Sequence, residues 1–319
     1  MDYFRSVVAQ DITEADGVKT YNLEVRPTSH LVYTIKCLND GANTMATVAQ
    51  ILGALEKVEI LRFGKSIWSI NAVDLLALNC FLLGHHPWQG NVINTDDATR
   101  FLSLIVPFGR KLYDPNECFP ATQSGELVAQ FTIDIADTGY DGYITQLEQV
   151  ELIGAAPKRY LKGVTMAYTP SATGDGDVTL PRGNFYTGIL LWGTTVPVTT
   201  AWTTTIDKVK LLANGAERYI GNANWESLHG EGINKSSPSL QYAPHIHLEN
   251  TATAYTQSAD TAAGENSSAN TENHCYIDFS PNGDDTFLFD TAPLTGLVLR
   301  ISAGDTNACR ITPVELEKV

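Results

Sequence analysis

"KVEILRFGKSIW", residues 57–68, and "KVKLLANGAERY", residues 208–219, are two versions of one phrase. Each opens Lys-Val-charged-aliphatic-Leu. Each places a glycine seven residues after its lysine, at Gly64 and Gly215, and an aromatic soon after, at Trp68 and Tyr219. Three weaker pairs follow in the same order. "VPFGR" from Val106 resembles "SPNGD" from Ser280, with Pro107 over Pro281 and Gly109 over Gly283. "ELVAQFTI" from Glu126 resembles "GLVLRISA" from Gly296, with Leu127-Val128 over Leu297-Val298. "ITQLEQVEL" from Ile144 resembles "ITPVELEKV" from Ile311. Matches that keep their order are the mark of an internal duplication. The spacing widens from 151 residues at the first pair to 174 at the second, so the second copy carries an insertion. Composition places it at "NTATAYTQSADTAAGENSSANTEN", 250–273, a polar stretch expected as a long surface loop. The reading is an N-terminal arm (1–16), a first domain (17–157) and a second domain (158–319), joined near "GAAPKRYLKG", 154–163.

The dominant period is two. "TYNLEVRP", "HLVYTIKCL", "ELVAQFTIDIA" and "GLVLRISAG" alternate or run β-branched and aromatic between Gly, Pro, Asn and Asp, as strands do. Helical signals are few. "NTMATVAQILGALEK" follows an Asn or Thr cap, and "NAVDLLALNCFLLG" ends on a glycine. "TDDATRFLSLIVPFG" has Thr95 as a cap, Asp96 and Asp97 in a first turn, and Pro107 as a stop. These patterns predict an all-β protein of two tandem eight-stranded jelly rolls with short helices in the connections, other β-sandwiches being the alternative.

The chain has 319 residues, 43% hydrophobic and 18% charged, with a net charge of −15. That is a globular composition. With 21 basic residues against 36 acidic ones and no basic run, extensive direct contact with nucleic acid is excluded. Five cysteines without a CxxC pair predict reduced, buried thiols made in a cytosol. The N-terminus has acids where a signal peptide needs bases, and no apolar run is long enough to span a membrane.

Lys57–Gly64 with Trp68, "IVPFGRKLYDP" at 105–115, where a helix is expected to run into "PFGR", and "KVKLLANG" at 208–215 carry a resemblance. In tandem jelly rolls they resemble the double jelly-roll major capsid proteins of tailless icosahedral viruses, the lineage of membrane-containing bacterial and archaeal viruses and adenovirus. The resemblance implies a structural protein without catalysis. It implies homotrimers whose six barrels make a pseudo-hexameric capsomer of an icosahedral virion. It also implies contacts with neighbouring capsomers and with minor capsid or penton proteins, and a chain made in the host cytoplasm. A terminal segment in that family grips the layer beneath. Because the chain stops at Val319 directly after its last strand, the expected anchor is the N-terminal arm. There Tyr3, Phe4, Val7, Val8 and Ile12 are spaced for one helical face, packed on its own barrel or touching a neighbour, an underlying protein or an inner membrane.

Tandem jelly rolls also describe bicupins, which bind a metal inside each barrel. "PHIHLEN" supplies His245, His247 and Glu249, and alternate strand residues share a face. Glu249 comes too soon for cupin spacing, and the first copy has no HxH, so loop histidines are the expectation; His274-Cys275 is too remote to complete the set by spacing alone. "HHPW" at 85–88 is expected as a structural loop. Asp175 and Asp177 in "TGDGDVT", and "NGDD" at 282–285, read as turn chemistry and not as calcium loops. "GKS" at 64–66 is not a phosphate loop, since the required earlier glycine is Glu59. Trp88, Trp192, Trp202 and Trp225 leave a carbohydrate- or receptor-binding β-protein as a second alternative beside a bicupin-like metal-binding enzyme. No catalytic, cofactor-binding or metal-binding residue is assigned.

Overall fold

A computed structural model describes residues 2–40, 47–84, 87, 89–90, 96–135, 140–197, 203–235, 246–251, 254–259 and 271–319. The chain forms two compact units, Met1–Tyr160 with Ser236–Thr271 and Val319, and Leu161–Lys235 with Glu272–Lys318.

The first unit runs β1 (Asp2–Thr13), β2 (Gly17–Asn22), β3 (Thr28–Asn39), α1 (Val48–Ala54), β4 (Leu55–Arg62), β5 (Lys65–Asn71), α2 (Ala72–Leu83), β6 (Gln89–Gly90), β7 (Thr99–Pro107), β8 (Leu127–Ile133) and β9 (Tyr140–Ile153). One sheet has the order β1-β9-β3-β7-β6, and facing strands run β5-β4-β8-β2. Inward positions alternate along them: Leu31, Tyr33 and Ile35 on β3, Leu102, Leu104 and Val106 on β7, Ala129, Phe131 and Ile133 on β8. Tyr33 stacks on Phe131 between the sheets, with ring centroids 4.1 Å apart.

The remaining elements are β10 (Arg159–Val164), β11 (Met166–Tyr168), β12 (Gly174–Thr179), β13 (Phe185–Gly193), β14 (Ile206–Ala213), β15 (Ala216–Glu217), β16 (Ala223–Asn224), α3 (Trp225–Lys235), β17 (Ile246–Thr251), β18 (Ala254–Ala259), β19 (His274–Asp278), β20 (Phe289–Asp290), β21 (Leu297–Ala303) and β22 (Cys309–Lys318). In the second unit one sheet runs β12-β21-β14-β15 and the other β19-β13-β22-β10. Its core gathers Ile189, Leu191, Val209, Leu211, Leu299 and Ile301. Two antiparallel jelly rolls in tandem are the result.

The repeated phrase is one structural device used twice. Both copies form a strand and a two-residue turn. Phe63-Gly64 has φ of 49° and 76°, and Asn214-Gly215 has φ of 51° and 81°. Two positive φ values twist the hairpin as its strands twist, which explains the glycine in each copy. In the first unit Arg62, Leu61, Lys57 and Leu55 face Leu127, Val128, Thr132 and Ile133. In the second Ala213, Leu212, Lys208 and Ile206 face Leu297, Val298, Ser302 and Ala303. Even the register shift recurs, between Leu55 and Lys57 and between Ile206 and Lys208. Lys57–Gly64 and Lys208–Gly215 are therefore equivalent, as are Leu127-Val128 and Leu297-Val298.

The other two matched pairs are out of register with the structural equivalence. Phe108 N–H donates to Ser29 O at 3.0 Å and Phe279 N–H donates to Thr187 O at 2.8 Å. Phe108 therefore corresponds to Phe279, and Pro107 to Asp278 and not to Pro281. Likewise His30 faces Val150 and Gly188 faces Val314, directly after the register shifts at Ser29 and Thr187. Val150 thus answers to Val314, three residues off the match that set Ile144 on Ile311.

Three expectations are corrected. The helix expected to start at Thr95 is strand β7, whose buried Leu102, Leu104 and Val106 alternate with outward residues. Its "FLSLIV" run satisfies period two as well as a helical stripe, and pairing with β3 decides; Thr95 itself lies outside the described residues. The N-terminal arm is strand β1, added to the edge of β9 with Tyr3 facing Leu152 and Phe4 facing Glu151. The segment expected as a loop at 250–273 includes hairpin strands β17 and β18, with Asn250 facing Tyr255; the rest of it up to Asn270 lies outside the described residues. The other two expected helices form. α1 is held by a capping box between Thr47 and Gln50. α2 ends at left-handed Gly84, whose N–H donates to Cys80 O at 3.0 Å.

Candidate functional site

"IVPFGRKLYDP" builds a clasp at one end of the first unit. Glu117 is buried between two guanidinium groups: Arg110 Nε donates to its Oε2 at 2.9 Å and Arg159 Nε to its Oε1 at 2.9 Å. Gly109 packs so close that an added Cβ would lie 2.1 Å from Glu117 O, which explains the glycine of "PFGR". Beside it Phe108 and Phe119 pair at 5.2 Å, and Phe119 also meets Tyr160 at 4.7 Å. The second unit repeats the aromatic pair as Phe279 and Phe289 at 5.5 Å. An arginine covers each: Arg62 stands 5.8 Å from the Phe119 ring and Arg218 stands 5.5 Å from that of Phe289. No sequence match had aligned these phenylalanines, because the flanking loops differ.

Strand β1 projects apolar side chains into solvent, with Tyr3 64% and Phe4 52% exposed, and Val7 and Ile12 exposed as well. Arg5 pairs with Glu148, and Lys36 pairs with Asp11. Tyr3 meets Tyr113 at 5.4 Å, and Tyr113 meets His30 at 5.2 Å. His30 is buried, with Nδ1 2.9 Å from Ser29 Oγ. Burial, and then the charge of Arg5, lower its pKa to about 4. Edge strands that expose apolar side chains invite pairing or packing with another chain. The only signal in the sequence was the apolar content of the arm.

The remaining candidate residues scatter. His245, His85, His86, Trp88 and Trp202 lie outside the described residues, and so do the side chains of His247 and Glu249 on β17. His274 is buried on β19, where its carbonyl oxygen is 2.8 Å from His229 Nδ1. Asp175 and Asp177 lie on strand β12 and not in a turn, and Asp177 accepts both Nε and Nη2 of Arg300, at 2.7 and 2.9 Å. "NGDD" is a turn, closed by Gly283 N–H donating to Ser280 O at 2.8 Å. Gly64 of "GKS" sits in the β4–β5 hairpin. Trp225 is buried, while Trp192 is half-buried with one face of its ring against Arg310 at 3.5 Å. All five cysteines are free and buried. Among the described residues no three His, Cys, Asp or Glu side chains group as metal ligands would, and no helix is long and apolar enough to cross a membrane.

No protein-family description matches this sequence, and no curated protein matches it. Solved structures do. The major capsid protein P2 from Bacteriophage PM2 superposes with a TM-score of 0.63 at 11% identity, covering 100% of this chain and 98% of that one. The STIV major capsid protein gives 0.67 at 11%, covering 99% and 97%. The capsid of PBCV-1 virus gives 0.60 at 10%, covering 99% and 94%. At such identities the likeness is one of fold, and it extends over nearly the whole of each chain. This chain has the double jelly-roll fold of the viral major capsid proteins.

Proposed function

We propose that the chain is a structural protein, the major capsid protein of an icosahedral virion, and not an enzyme. The observation that carries the reading is the length of the likeness. Two jelly rolls match capsid proteins end to end, with almost nothing left over in either chain. The unit of assembly is a homotrimer whose six barrels form a pseudo-hexameric capsomer. It consists of an arm at 1–16, barrels at 17–157 and 158–319, and the insertion near 250–273. Trimers meet neighbouring capsomers and the minor capsid or penton proteins that close the shell.

The arm is the contact to a neighbour, an underlying protein or an inner membrane. Its exposed Tyr3, Phe4, Val7 and Ile12 support this, since a strand serving only its own sheet has no need of apolar groups in solvent. A net charge of −15 suits a shell that does not grip the genome extensively. The protein is placed in the virion after synthesis in the host cytoplasm. Electron microscopy of the purified chain tests this: three-fold particles of hexagonal outline support it, and small particles without symmetry at every concentration refute it.

A further inference from the structure

Lys162, Asn184 and Glu315 belong to three neighbouring parts of one sheet in the second unit. Glu315 is on β22, which lies between β10, carrying Lys162, and β13, which starts directly after Asn184. One carboxylate oxygen addresses both neighbours. Oε2 of Glu315 accepts from Nδ2 of Asn184 at 2.7 Å and stands 4.0 Å from Nζ of Lys162. Glu315 is buried. Lys162 and Asn184 open on the same cavity of about 370 Å³, which Phe185, Leu316 and Glu317 also line. An amine, a carboxamide and a buried acid around one point are the components of a transamidation.

We propose that Lys162, Asn184 and Glu315 form an autocatalytic isopeptide site, at which Nζ of Lys162 becomes bonded to Cγ of Asn184. Glu315 takes a proton from the lysine ammonium, leaving a neutral amine. That amine attacks Cγ, and the Nζ–Cγ bond forms. Glu315 gives that proton to the amide nitrogen and takes a second one from the attacking nitrogen, the Cγ–Nδ2 bond breaks, and ammonia leaves. Atoms and charge balance, and no oxidant or other reactant enters. Burial raises the pKa of Glu315, which suits a group that must hold a proton between these two steps. Glu317, 2.7 Å from Lys162 Nζ and more exposed than Glu315, competes for the ammonium and sets the pace. The bond would tie β10 to the start of β13 across β22 and close the loop that carries β11 and β12.

Mass spectrometry of the intact, folded chain tests the site. The expected mass is lower than that of the sequence by one ammonia, and a protease digest contains a branched peptide joining Lys162 to Asn184. Glu315→Gln and Lys162→Arg each restore the full mass, and Glu317→Gln speeds bond formation. Lys162→Arg keeps a cation at a partly exposed position, so it reports even where Glu315→Gln fails to fold. A full mass with unbranched peptides, after long incubation of folded protein at neutral and mildly alkaline pH, overturns the proposal.

Discussion

Phe63 and Asn214 hold the same place in two hairpins, at φ of 49° and 51°. Asparagine suits it. Asn214 Oδ1 accepts from Thr295 N at 2.8 Å, Thr295 Oγ1 at 2.9 Å and Gly296 N at 3.0 Å. Phenylalanine does not suit it, because a side chain at left-handed φ crowds the next carbonyl and costs about 1–2 kcal/mol. The ring of Phe63 is 73% exposed, so burial returns little of that cost. Phe63→Asn should stabilise the chain by roughly 0.5–1 kcal/mol, a rise of a few degrees in Tm. A thermal melt checks it; an unchanged or lower Tm means that Phe63 is held by contacts worth more than the strain.

Glu117→Gln should be costly. It leaves Arg110 and Arg159 facing a neutral amide in a buried site, and breaking a buried ion pair costs about 3–5 kcal/mol. Arg159→Ala should cost less, since Arg159 is partly exposed and Arg110 still neutralises Glu117. Urea unfolding of the three proteins ranks them. Equal midpoints would show that the clasp is solvated and weak.

His30 makes stability depend on pH. Its folded pKa is lowered to about 4 from 6.5, so between those values the unfolded chain binds more protons than the folded one. Stability from this residue is therefore complete above about pH 6.5 and is lost as the pH falls toward about 4, by on the order of 3 kcal/mol. His30→Asn keeps an acceptor near Ser29 and removes the titration. Unfolding at about pH 7 and about pH 4.5 should show a smaller acid loss in the variant than in the parent. Equal losses in the two proteins would contradict the assignment.

Removing residues 1–13 should leave the first barrel folded. Among the described residues β1 pairs along its length only with β9, and most of its side chains face solvent. The truncated chain should melt cooperatively and still form trimers, while larger shells fail. Shells of normal size from truncated protein would remove the arm from assembly.

The duplication was legible because a hairpin with two positive φ values demands glycine at a fixed distance from its strand, and Gly64 and Gly215 keep that distance. The aromatic pairs Phe108–Phe119 and Phe279–Phe289 were not legible. Their equivalence lies in backbone hydrogen bonds to Ser29 and Thr187, while the intervening loops differ in length and composition. β7 was misread because Asp96 and Asp97 imitate a helix start and "FLSLIV" fits two periods. β1 was misread because isolated apolar spacing does not reveal that β9 has a free edge to offer. The clasp showed only its "PFGR" half; Glu117 and Arg159 meet Arg110 through folding, which no spacing encodes.

The measurement closest to the central claim is the native mass of the purified full-length chain across protein concentration. The capsid reading predicts a stable species at three times the 34.7 kDa of one chain, converting to closed shells or hexagonal sheets as concentration rises. A single species at the mass of one chain, unchanged at every concentration and ionic strength tried, would contradict it.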